Sequence, residues 1–130
     1  MFCADSSSWI AYLSGGTGED VDLLDSCLRN QFILMAPIVL AELLSDPLLP
    51  EEVETHLRSV PVLELMPGFW ERAGKTRAEL MRRKMKPKLA DSLIAQVCID
   101  HNLLLHTRDA DFRPFAKHAG LQLVLHGLVQ

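Results

Sequence analysis

Short apolar runs separated by longer amphipathic stretches organise this chain from end to end. Phe2-Cys3-Ala4, Phe32 to Met35, Val62 to Leu65, Leu103 to His106 and Gln122 to Leu125 each read as a strand, too short for a helix. Between them apolar residues recur at helical spacing. Ser6 or Ser7 can cap a helix carrying Trp9, Ile10 and Leu13, which Ser14-Gly15-Gly16-Thr17-Gly18 terminates. A second helix is predicted from Glu19 to Arg29, with Val21, Leu24 and Leu28 on one face and acids in its first turn. Pro37 opens a helix through Leu44 with Pro47 just beyond it, and Pro50-Glu51-Glu52 opens another that ends near Ser59. Phe69 to Lys84 is a longer helix with Trp70, Ala73, Arg77, Leu80 and Met81 at helical spacing. Helices from Ala90 to Ile99 and from Phe112 to Ala119 flank the fourth strand.

Strands that alternate with helices, each strand a short apolar run, imply an α/β fold with a parallel sheet covered on both faces. No repeat, low-complexity tract or linker divides the chain, so a single domain over residues 1–130 is expected. A hydrophobic content of 48% can build a core without disulfides or structural metal. Cys3, Cys27 and Cys98 are scattered through apolar segments and read as small core residues in a reducing cytosol. The opening Met1-Phe2-Cys3-Ala4-Asp5 lacks the charged and apolar regions of a signal peptide. The richest apolar run, Phe32 to Leu44, is broken by Pro37 and Glu42 and too short to span a bilayer. A soluble, cytoplasmic protein is expected. The net charge of −4 argues against a broadly basic nucleic-acid surface, though it leaves room for a local basic rim around an acidic centre.

The strand C-terminal ends of a parallel sheet share one edge, where ligand crevices form. Acids gather there: Asp5 follows the first strand and Asp109 the fourth, Glu42 lies in the helix after the second, and Asp91 begins the helix before the fourth. On that last helix Ser92, Gln96 and Asp100 form what reads as a solvated face, whereas Asp91 shares its stripe with Ile94, Ala95 and Cys98. Apart from Glu42, Ile38 to Leu44 is apolar throughout and is predicted to be buried. Singly, each acid has a plain explanation as a turn residue, a helix cap or an outward-pointing end. Together they do not, because two carboxylates ~4 Å apart repel by about 4 kcal/mol at an effective dielectric of ~20. Such a cluster is protonated or holds a cation. All-oxygen sites select Mg²⁺ or Mn²⁺, bound by few carboxylates and by substrate phosphate, which describes phosphodiester cleavage. Zinc is disfavoured, since Cys98, His101 and His106 have no second pair at ligand spacing.

Pro114 fits only a first helical turn, which places Asp111 near the N-cap and leaves Asp109 for the crevice. The basic run Arg82-Arg83-Lys84-Met85-Lys86-Pro87-Lys88 precedes Asp91; it either closes a helix with solvated cations or tracks a phosphate backbone. Gly15-Gly16-Thr17-Gly18 lacks the Lys-Ser/Thr ending of a P-loop, and no Gly-x-Ser-x-Gly elbow is present.

Asp-Ser-Ser-Ser-Trp-Ile at Asp5 to Ile10, Pro-Ile-Val-Leu-Ala-Glu-Leu-Leu at Pro37 to Leu44, Leu-Ala-Asp-Ser-Leu-Ile-Ala at Leu89 to Ala95 and Leu-His-Thr-Arg-Asp-Ala-Asp-Phe at Leu105 to Phe112 resemble, in order and spacing, PIN-domain ribonucleases. Within that family the chain looks like the VapC toxins of toxin–antitoxin pairs. The resemblance implies a PIN-like three-layer α/β/α sandwich with a mainly parallel central sheet. It also implies a Mg²⁺- or Mn²⁺-dependent endoribonuclease, often a homodimer, held inactive by a small antitoxin. Carried over block by block, it assigns the metal-binding acids to Asp5, Glu42, Asp91 and Asp109, with Thr107 as the hydroxyl that orders the site. Many relatives carry Thr or Asn where this chain has Ser6, a change that leaves the carboxylates intact. Two other classes compete: a non-catalytic module whose acidic cleft docks a basic peptide, and an aspartyl phosphotransferase. The latter needs a second Asp where Ser7 stands.

Overall fold

The computed structural model describes residues 1–30 and 32–127, so the domain expected over residues 1–130 reaches beyond the described residues. Strand β1 (Phe2–Ala4) leads into helix α1 (Ser6–Leu13), followed by α2 (Glu19–Asn30), β2 (Ile33–Leu34), α3 (Pro37–Leu44) and α4 (Glu51–Arg58). The second half holds α5 (Phe69–Arg82), α6 (Leu89–Asp100), β3 (Leu104–Thr107), a 3₁₀ turn (Ala110–Phe112), α7 (Arg113–His118) and β4 (Gln122–Leu125). The strands form one parallel sheet in the order β2-β1-β3-β4, within the three-layer α/β/α sandwich expected. Phe2 pairs with Ile33 on one side and with Leu104 on the other, and Leu104 pairs onward with Gln122. From β1 the chain builds the sheet first toward β2 and then toward β3. The reversal places the switch point, where crevices form in such sheets, at the C-terminal ends of β1 and β3.

Burial explains the strands. Cys3, Ala4, Ile33 and Leu105 are at most 1% exposed, and Trp9, Leu24, Val39, Leu57, Ile94 and Phe115 seal the core around them. The run Val62 to Leu65, expected as a strand, contributes only a single bridge between Met35 and Val62. Met35 donates its amide to the Pro61 carbonyl at 2.8 Å and accepts that of Leu63 at 2.9 Å. Pro61 offers no donor and only Leu63 of this run is buried, so neither backbone nor side chains support a longer ladder.

Three local expectations change with packing. The face of α6 that reads as solvated is covered: Ser92 is 0% and Gln96 4% exposed. Ser92 donates to the Lys88 carbonyl at 2.9 Å, while from α5 Thr76 donates to Gln96 at 2.6 Å and Arg72 makes two bonds to Asp100, at 3.0 and 2.6 Å. Helix α3 is not buried all round; Val39 and Leu43 face the core, while Ala41 and Glu42 are exposed. Helix α5 stops at Arg82, with Lys84 in a left-handed conformation (φ 66°), and buries Phe69, Ala73 and Leu80 while Trp70 and Met81 stay exposed.

Candidate metal centre

Asp5 is the residue around which the crevice forms. It caps α1, a role expected of Ser6 or Ser7, with Oδ2 accepting the Ser7 amide at 3.4 Å and the Ser7 hydroxyl at 2.9 Å. Its own amide donates to the His106 carbonyl at 2.8 Å, so the pairing of β1 with β3 fixes the carboxylate at the strand end. The Thr107 hydroxyl donates to the same Oδ2 at 2.9 Å. Asp5 Oδ1 is left with the Ser6 hydroxyl alone, at 3.4 Å.

Thr107 is fully buried and links both sides of the crevice, since its Oγ1 also accepts the Asp109 amide at 3.0 Å. Asp109 Oδ1 in turn accepts the Asp111 amide at 2.8 Å. The cap of the 3₁₀ turn is therefore Asp109 and not Asp111, because the turn begins at Ala110, before the helix that Pro114 opens. Asp111 instead projects toward solvent, with its carboxylate 3.9 Å from Lys88 Nζ.

Asp91 stands apart from the other acids in that, among the described residues, its carboxylate is buried and has no hydrogen-bond partner. The N-cap of α6 is Lys88, which makes no side-chain capping bond, and Asp91 Oδ2 is a buried oxygen without any donor. The residue is 9% exposed. Burial, and then the charges of Asp109 and Asp5, push its carboxyl up to about 6 against the weaker opposing effect of Lys88. One carboxylate oxygen from each of Asp91, Asp109 and Asp111 lies within 4.8 Å of the others. Asp111 is the member of this group that sequence reasoning set aside; its place two residues after Asp109 in a tight turn was the available signal.

Glu42 reaches the site from α3. It is exposed as a residue, but its carboxylate accepts the Ser6 hydroxyl at 3.2 Å, so Ser6 stands between Glu42 and Asp5. Burial raises the Glu42 carboxyl above its usual range; the Ser6 hydrogen bond opposes this and the Asp5 charge adds to it.

A second polar network holds the crevice from behind. Asp20, read from sequence only as a first-turn acid of α2, is 1% exposed and accepts Arg108 Nε at 2.7 Å, Arg108 Nη2 at 2.8 Å and the Ser8 hydroxyl at 2.8 Å. Burial alone would raise its carboxyl, but the bonds from Arg108 and Ser8 outweigh that and hold it well below the ordinary carboxylate range. The Arg108 amide donates to Ser7 Oγ at 3.0 Å, so the end of β3 is tied to both α1 and α2.

The residues suit a hard divalent cation. The donors are all carboxylate oxygens, and Asp91 Oδ2 is an orphaned buried acceptor facing other acids of like charge. A larger cavity of about 580 Å³ between α5 and α6 contains none of these acids; Arg72, Thr76 and Gln96 wall it, already bonded to one another or to Asp100.

Comparison with known proteins identifies the family and the fold. The model of the PIN domain family matches residues 2–118. No curated protein matches the chain in sequence. Among solved structures, VapBC2 from Rickettsia felis, bound to a DNA fragment from their promoter, matches with a TM-score of 0.75 at 21% identity, over 95% of this chain and 97% of that one. DNA-bound VapBC from Salmonella typhimurium gives 0.72 at 22% identity, over 95% and 96% of the two chains. VapBC-5 from Mycobacterium tuberculosis, a member of the VapBC family of toxin–antitoxin systems, gives 0.66 at 14% identity, over 95% and 97%. At these identities the likeness is one of fold.

Proposed function

The chain belongs to the PIN domain family, and from that premise and the acid cluster we propose that it is a Mg²⁺-dependent endoribonuclease, the toxin of a toxin–antitoxin pair. PIN domains are generally nucleases, which supports hydrolysis of a phosphodiester bond as the reaction. The observation that carries the reading is the unpartnered, buried Oδ2 of Asp91 beside Asp109 and Asp111. A carboxylate taken out of water without a donor is costly, and a cation removes the cost.

Asp91 and Asp109, with Asp5, hold Mg²⁺ or Mn²⁺ in this proposal, and Glu42 adds negative charge through Ser6. When bound, the ion supplies charge neutralisation at the phosphate and a more acidic water. The protein's own part is positioning. Thr107 and Ser7 pin Asp5 Oδ2 and leave Oδ1 lightly engaged, while the Thr107 bond to the Asp109 amide holds the second acid in register.

A small antitoxin is proposed as partner because neighbours of the same fold are described as toxin–antitoxin complexes. A homodimer is proposed because Trp70 (62% exposed) and Met66 (43%) present large apolar side chains that a second copy would cover. Cytoplasmic location accords with the core-packed thiols of Cys3 and Cys98; no helix among the described residues is long and apolar enough to cross a membrane.

Purified protein incubated with several RNAs in Mg²⁺, Mn²⁺ or chelator tests the reading. Cleavage should require the metal and vanish in Asp91→Asn. A protein that cuts no RNA in either metal, yet binds basic peptides through the cleft, would instead be the non-catalytic docking module.

A further inference from the structure

We propose that single-stranded RNA runs along a groove that leads from Asp111 across the loop after α5 to Lys117 on α7, an inference that rests on the ribonuclease reading above. The groove consists of two adjacent hollows. One, of about 230 Å³, is lined by Lys86, Pro87, Lys88 and Asp111; the other, of about 530 Å³, is lined by Arg113, Ala116 and Lys117. Met85 and Pro114 line both, so the two hollows are neighbours on one surface. Asp111 belongs to the acid cluster, so the groove begins beside the candidate metal centre.

Charge identifies the occupant. The chain carries a net charge of −4, yet the groove places Lys86, Lys88, Arg113 and Lys117 around a single carboxylate, Asp111. Among the described residues Lys86, Arg113 and Lys117 have no carboxylate within salt-bridge distance, whereas Arg82 and Arg83, earlier in the same basic run, are held by Glu79 at 2.9 and 3.3 Å. The run therefore divides. Its first part neutralises an acid on its own helix, and its second part faces a groove with positive charge to spare.

The floor selects a single strand. Met85, Pro87, Pro114 and Ala116 give an apolar surface between the cations, which suits unpaired bases and has nothing to contact on the phosphate-lined exterior of a duplex. The loop is also held in place before any ligand arrives: Arg77 Nε donates to the Pro87 carbonyl at 3.1 Å and the Met85 amide to the Leu80 carbonyl at 3.1 Å. Binding then orders little backbone.

The test measures binding of a short fluorescein-labelled unstructured RNA by anisotropy across a salt series, in chelator so that the strand stays intact. Lys86→Gln/Arg113→Gln/Lys117→Gln should weaken binding by roughly tenfold or more and lower the slope of log K against log salt by about 2, as loss of three single-strand phosphate contacts requires. Arg82→Gln/Arg83→Gln should stay within about twofold. An abasic strand of equal length should bind wild-type protein several-fold more weakly than the normal strand. The substituted side chains are exposed, and circular dichroism checks that the fold is kept. If the groove variant binds RNA like wild type while wild type cleaves RNA with Mg²⁺, the groove assignment is wrong and the nuclease reading stands. If wild type neither binds nor cuts RNA, the nuclease reading has failed and the groove assignment with it. Equal affinity for duplex RNA overturns the single-strand assignment, and displacement of RNA by polyglutamate at lower concentration makes the groove a site for an acidic protein segment.

Discussion

Thr107 donates its hydroxyl to Asp5 across 102 residues of chain, at 2.9 Å, and with the same oxygen accepts the Asp109 amide at 3.0 Å. One fully buried side chain thus sets the spacing of two acids that come from different strands. Thr107→Val keeps the shape and removes both bonds, leaving the Asp109 amide without its acceptor. It should cost about 1–3 kcal/mol of stability and lower cleavage at least tenfold. Thr107→Ser should restore most of both, read by thermal melting and by initial cleavage rate.

Asp109 and Asp111 separate by chemistry as well as by position. Asn is a good cap, so Asp109→Asn should melt near wild type while losing the charge that cleavage needs. Asp109→Ala should lose cleavage and about 0.5–2 kcal/mol of stability. Asp111→Ala removes an exposed carboxylate that caps nothing and should leave melting unchanged. Equal melting of Asp109→Ala and Asp111→Ala would show that the cap contributes nothing.

Asp91 makes the metal-free protein less stable as pH rises. Its folded carboxyl lies at about 6 against an ordinary 3.8, so between those values the folded state binds the extra proton and each step upward in pH costs stability. Asp91→Asn lacks this loss and should be more stable than wild type by about 1–3 kcal/mol at neutral pH in chelator. Urea titrations at acidic and neutral pH read the difference. A variant less stable than wild type at neutral pH would mean that Asp91 has a stabilising partner in the fold.

The Asp20–Arg108 pair works in the opposite sense. The Asp20 carboxyl is depressed when folded, so its stabilisation is complete above the ordinary carboxylate range near pH ~4 and disappears as pH falls through the folded value. Arg108→Met leaves a buried carboxylate without its main donor and should cost about 2–4 kcal/mol near neutral pH, with a shallower decline in acid than wild type. Acid denaturation monitored by circular dichroism measures both.

Much of the fold was legible because strand length and helical spacing are local. The burial of Asp91 followed from its stripe on α6, and Asp5 and Asp109 followed from their place at strand ends. What escaped is what long-range partners decide. Gln96 and Asp100 read as solvated because Thr76 and Arg72, 20 and 28 residues away, supply the hydrogen bonds that allow their burial, while Ser92 is satisfied by the Lys88 carbonyl four residues before it. Asp20 read as a helix-start acid because its partner Arg108 is 88 residues distant. The caps were misassigned at both ends of the site: Asp5 takes the place expected for Ser6 or Ser7, and Asp109 that expected for Asp111. In each case a carboxylate placed for the crevice also serves its own turn, and sequence spacing alone does not reveal the double role.

The central claim, that the acid cluster is a divalent-cation centre, is tested most directly by titrating Mn²⁺ into the purified protein and following free ion by electron paramagnetic resonance. Wild type should take up Mn²⁺ with Mg²⁺ in competition, and Asp91→Asn should weaken uptake by at least about tenfold. Asp5→Asn and Asp109→Asn should also weaken it, while Glu52→Gln, an exposed acid on α4, should leave the curve unchanged. An Asp91→Asn protein that titrates like wild type would contradict the account.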